Sequence, residues 1–131
     1  MEIVSNIGKF FDEKLEDLPC DPKTRAYVVS VFTKFSKVSY DLPNDSITLT
    51  FYEAKRKHDF ATYQALGDWI LFCRVEFPEH LCNASSDYYL TVGRLSYLSC
   101  YRLINRQWIL FDELSDRFEE ITEEARDRLV R

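Results

Sequence analysis

The chain has 131 residues, with 17 basic against 22 acidic side chains and a net charge of −5. That length fits one domain with a core large enough to need no disulfide or metal staples. The acidic balance argues against a phosphate-backbone binder, which needs a basic face, so no nucleic-acid partner is expected.

Residues 2–18 place Ile3, Ile7, Phe10, Phe11, Leu15 and Leu18 on a 3.6-residue period, with Lys14 the one polar member. The spacing predicts an amphipathic helix that Pro19 ends. Asp21-Pro22 then reads as an N-cap followed by proline at the first helical position. The stripe Val28, Val31, Phe32, Phe35 and Val38 carries a second helix to about Ser39. Residues 40–45 hold a proline and several turn-forming side chains and are expected to form a loop.

Residues 46–51 alternate polar and apolar side chains, which is the period of a strand. Read as a helix capped by Asp45 or Ser46, residues 46–57 align Ile47, Phe51, Ala54 and His58. The helix is preferred, because the chain offers no second strand-like run to pair with it. Asp59 caps a fourth helix through Phe60, Tyr63, Leu66, Ile70, Leu71 and Arg74, which Pro78 terminates. After a loop at 80–86, Ser85-Ser86-Asp87 opens a fifth helix with Tyr89, Val92, Gly93, Ser96, Cys100 and Leu103 along one side. Asn105-Arg106 forms a short turn. A final helical stretch points Trp108, Phe111, Leu114, Phe118, Ile121 and Ala125 inward, with Thr122 expected to re-cap it and bend it. The expected fold is one all-α domain over residues 1–131, a compact bundle of about five to seven helices.

No apolar run reaches the roughly 18 residues that span a bilayer. The first residues lack the basic start and apolar core of a signal peptide, so a cytoplasmic protein without a membrane partner is expected. The four cysteines are too sparse and irregular for a disulfide framework. Glu76, Glu79, His80, Cys82 and Asp87 are all ligand types, and they lie within twelve positions. Helical metal sites pair Glu and His three residues apart, so that both project the same way. The chain has no such pair: Glu79 follows Glu76 by three residues but Pro78 lies between them, and position 55, three before His58, is a lysine. Neither a metal nor another cofactor is expected. Cys82, close to His80, is the one thiol placed for exposure, but nothing around it marks a base–thiol pair. With three glycines, all well separated, no glycine-rich phosphate cradle can be built.

The polar and aromatic residues between Gly67 and Tyr97 form the remaining cluster. Gly67-Asp68-x-x-Leu71-Phe72, Phe77-Pro78-Glu79, Asp87-Tyr88-Tyr89 and Gly93 with Tyr97 occur in that order. Together with Phe111-x-x-Leu114-x-x-x-Phe118, this resembles the pattern of a family of bacterial all-helical proteins to which no activity is assigned. The resemblance covers roughly residues 60–120, and the loop at 81–84 has no counterpart in it. It implies a helical fold and no chemistry.

The residues of the cluster support two readings. Asp68 on the fourth helix needs a partner if it is buried, and Tyr88, Tyr89, Tyr97 and Arg94 are the donors within reach. They form either a buried network holding two helices in register or a pocket. In the second reading Asp68, Glu79, Asp87 and the tyrosines meet a small ligand between residues 63–76 and 87–104. The acidic C-terminal stretch reads as a solvated face with pairs such as Glu113–Arg117 and Glu124–Arg128. The leading expectation for function is a non-catalytic helical module that binds a protein partner or a second copy of itself. The surplus of aromatics, 10 Phe, 8 Tyr and 2 Trp, suits such an interface.

Overall fold

The computed structural model describes residues 2–37, 47–82 and 84–130, with side chains from residue 7 onward. Those residues form seven α-helices: α1 (Glu2–Lys14), α2 (Pro22–Lys37), α3 (Ile47–Lys57), α4 (Phe60–Glu76), α5 (Ser86–Leu103), α6 (Ile109–Asp116) and α7 (Phe118–Leu129). A 3-10 turn, Pro78–His80, follows α4. No strand occurs among the described residues, and residues 47–57 are helical as their aligned apolar positions predict. The predicted loop at 40–45, the end of the second helix near Ser39 and the Ser46 cap lie outside the described residues.

The helix α4 organises the bundle. Every residue from Leu66 to Cys73 is buried, so this helix is enclosed on all sides rather than along one stripe. It packs most extensively on α5, and also on α7, α3 and α2, while α1 reaches the bundle through α2. The capping signals form as read. Asp59 Oδ1 accepts from the Thr62 amide at 3.4 Å, Ser85 Oγ accepts from the Tyr88 amide at 3.1 Å, and Asp21 Oδ1 accepts from the Lys23 amide at 2.9 Å. The Asp21 amide in turn donates to Glu113 Oε1 at 3.0 Å, which ties the start of α2 to α6.

Small residues decide how close the helices come. A Cβ on Gly93 would lie 2.6 Å from Phe118 Cζ, and one on Gly67 would lie 2.9 Å from Tyr97 Cε1. Both glycines accept an aromatic ring from a neighbouring helix.

Three expectations are corrected. Trp108 is 56% exposed, because it precedes α6 as an extended N-cap residue and so does not share the helical stripe that begins at Phe111. The C-terminal stretch breaks at Arg117, not at Thr122. Arg117 ends α6 by donating its amide to the Glu113 carbonyl at 2.8 Å, and α7 begins at the next residue. Thr122 stays inside α7, buried, with its hydroxyl donating to the Glu119 carbonyl at 3.0 Å. His58 does not continue the inward stripe of α3. It is exposed in the left-handed region at φ 52°, where the chain turns into the Asp59 cap.

The glycine contacts give a direct test. Replacing Gly93 by Ala is expected to destabilise the protein by about 1–3 kcal/mol, the usual range for overpacking a filled core. Gly8→Ala is expected to be neutral or slightly stabilising, since its Cβ would meet nothing closer than Thr33 Cγ2 at 3.9 Å. Denaturant unfolding of both variants checks the contrast; equal effects would contradict the packing described.

Candidate functional site

Asp68 is the one carboxylate inside the enclosed stretch of α4, and it is 6% exposed. Its Oδ1 accepts two hydrogen bonds of 2.7 Å, one from the Tyr97 hydroxyl of α5 and one from the Tyr27 hydroxyl of α2. Gln64, one turn earlier on α4, donates its Nε2 to the Tyr27 oxygen at 3.0 Å. A single oxygen therefore joins three helices. The rings around it are fixed as well: Tyr27 meets Phe111 edge-on at 5.5 Å, and Tyr97 lies 5.9 Å from Phe118.

Burial dominates the electrostatics of this site. It pushes the Asp68 carboxyl up to about 6, against the opposing effect of the Tyr97 and Tyr27 hydrogen bonds. Burial and then the adjacent Asp68 charge raise both tyrosines far above their ordinary range, so they stay protonated as donors. The thiols of Cys73 and Cys100 are each pushed up to about 12, chiefly by burial, which makes them inert packing groups.

The predicted cluster comes together only in part. Asp68 and Tyr97 meet. Tyr88 instead hydrogen-bonds the Thr48 hydroxyl of α3. Arg94 donates Nε to the Ser115 carbonyl at 3.0 Å while Ser115 Oγ donates to the Arg94 carbonyl at 2.9 Å, a reciprocal clasp between α5 and α6. Glu79 and Asp87 are exposed, whereas Asp68 is buried and hydrogen-bonds to Tyr27 and Tyr97. Tyr27 and Gln64 are the partners missed. Tyr27 lies four residues before Val31, on the same stripe of α2, and that spacing was the available signal.

Tyr89 belongs to a different feature. A cleft of about 330 Å³ opens where the end of α4, the 3-10 turn, the start of α5 and α7 converge. Arg74, Pro78, Leu81, Ser86, Tyr89, Glu123 and Arg126 line it. Arg74 donates Nε to Thr122 Oγ1 and Nη1 to Ser86 Oγ, both at 3.3 Å. Arg126 Nη1 donates to the Arg74 carbonyl at 3.2 Å and so caps the C-terminal end of α4. A second cleft of about 340 Å³ lies beside Lys23, Gln107, Trp108, Ile109 and Leu110. Asp68 and Tyr97 line neither. Among the described residues, no helix is long and apolar enough to cross a membrane.

The chain matches no protein-family model, no curated protein and no solved structure.

The Asp68 environment predicts a pH dependence. A carboxyl whose folded value lies above its unfolded value of about 3.9 stabilises most when both states hold the proton. Its contribution is therefore full below about pH 4 and lost as pH rises through about 6. Asp68→Asn keeps an oxygen acceptor for both tyrosines and cannot ionise. Relative to that variant, the wild type is expected to lose up to about 3 kcal/mol between those limits. Urea unfolding across the acid range checks this, and a pH-independent difference would contradict it.

Proposed function

We propose that the chain is a non-catalytic helical interaction module that docks a second copy of itself through the edge formed by Trp108 and Ile109. The observation that carries this reading is the exposure of these two adjacent large apolar residues, at 56% and 70%. Single exposed apolar side chains are ordinary on a protein surface; a contiguous pair headed by tryptophan marks a contact site.

The backbone presents this pair deliberately. Asn105 and Arg106 both lie in the left-handed region, at φ 55° and 60°, a conformation that costs a non-glycine residue on the order of 1 kcal/mol. The turn they make ends α5 and carries the chain out to Trp108. The Trp108 ring is stacked on Phe111, 6.1 Å between centroids at an interplanar angle of 17°. A ring held in this way loses little side-chain freedom on binding.

The occupant follows from the neighbouring cleft. The projecting residues, Trp108 and Ile109, also form one wall of it, with Leu110, Gln107 and Lys23 completing the lining. Knob and recess on one patch are what a two-fold contact between identical copies requires, since each copy then offers what the other fills. The buried Asp68 network fits this reading as the mortar of a rigid scaffold.

Sedimentation velocity from low to high micromolar protein tests the proposal. A concentration-dependent dimer is expected, and it should be abolished by Trp108→Ser combined with Ile109→Ser. A wild-type protein that stays monomeric throughout overturns it.

A further inference from the structure

The arginine-lined cleft at the end of α4 is independent of the docking edge. Among the described residues, neither Arg74 nor Arg126 has a carboxylate oxygen within ion-pair distance, although other arginines of the chain do. Their internal hydrogen bonds go to neutral oxygens: Thr122 Oγ1, Ser86 Oγ and the Arg74 carbonyl. A guanidinium carries five N–H donors. Arg74 uses two of its donors on these partners and Arg126 one, so both face the cleft with donors in excess. Half-burial leaves the recessed Arg74 guanidinium incompletely solvated, and the charges of Glu119 and Glu123, both beyond ion-pair distance, offset this only in part.

We propose that this cleft binds a small organic monocarboxylate, held by Arg74 and Arg126 and packed by its apolar body against Pro78, Leu81 and Tyr89. Two cations and the carboxylate of Glu123 line the cleft, and Glu119 adds a second negative charge near Arg74, which suits a singly charged anion better than a doubly charged one. A carboxylate accepts the paired N–H donors of a guanidinium in one plane, the strongest form of charge-assisted hydrogen bond. The volume of about 330 Å³ lies at the small end of the range for ligand sites, enough for a compact ligand. Ser86, in the first turn of α5, adds a hydroxyl beside the Arg74 Nη1 atom, and the positive end of that helix supports the same sign of ligand.

Benzoate serves as the probe, with inorganic phosphate as its comparison, in an NMR titration of the arginine Nε–Hε signals and the Tyr89 ring. The expected result is a saturable benzoate response, with phosphate binding more weakly. Arg126→Gln should weaken benzoate by about tenfold or more, the loss of one charge-assisted contact. Glu123→Gln alters an exposed position and should tighten it, so the test survives even if the arginine variant misfolds; circular dichroism of each variant checks folding. The proposal is overturned by no saturable response to benzoate, by phosphate binding in preference, or by unchanged benzoate affinity in a folded Arg126→Gln protein. Weaker binding in Glu123→Gln also overturns it.

Discussion

A helix enclosed on every side must still satisfy whatever polar group it carries, and in this protein that group is Asp68. Burying an unpaired carboxylate would cost several kcal/mol, enough to threaten a domain whose net stability is on the order of 10 kcal/mol. Tyr27 from α2 and Tyr97 from α5 meet that demand by donating to one carboxylate oxygen. Once the two hydroxyls are fixed there, the two helices are fixed with them. The Tyr97 ring reaches Asp68 because Gly67, the preceding residue, leaves no Cβ in its way. The adjacent pair Gly67-Asp68 thus acts as one device: a seat for a ring and an acceptor for its hydroxyl.

The same arrangement accounts for the rest of the core. Tyr97 touches Phe111 and Phe118, which lie on the inward faces of α6 and α7. Phe118 in turn rests against Gly93, one turn before Tyr97 on α5. Aromatic rings set against glycines therefore run from α4 through α5 to α7. The surface features stand apart from this solid centre. The Trp108–Ile109 edge sits at the start of α6, and the arginine cleft sits where α4 ends against α7. A rigid interior of this kind would hold the proposed contact edge and cleft in fixed geometry.

Much of the architecture was legible in the sequence, because helical periodicity and caps act over a few residues. The order of the helices, the Asp59 and Ser85 caps and the helical state of residues 47–57 all follow from local patterns. So does the pairing of Glu113 with Arg117 and of Glu124 with Arg128, at 3.6 and 3.4 Å. What periodicity cannot supply is the partner of a residue across the bundle. Asp68 was marked as needing a donor, yet Tyr27 is separated from it by 41 positions and only the packing of α2 on α4 brings them together. Arg74 appears in an apolar stripe by spacing alone, and its role depends on Thr122 and Arg126 of a helix nearly fifty residues later. Trp108 was assigned to the core because it continues the period of Phe111. The left-handed turn before it, closed by the Asn105 and Arg106 amides donating to the Arg102 and Tyr101 carbonyls, moves it outside the helix.

The account rests on both tyrosines donating to the same oxygen of Asp68, so their contributions to stability must depend on each other. A double-mutant cycle of Tyr27→Phe and Tyr97→Phe, measured by equilibrium unfolding, tests this most directly. Losing one hydroxyl leaves Asp68 with the other; losing both leaves a buried carboxylate with no donor. The account predicts that the double variant is destabilised beyond the sum of the single changes, by roughly 0.5–3 kcal/mol. Strict additivity would contradict it, since two independent tyrosines would then merely lie near the same carboxylate.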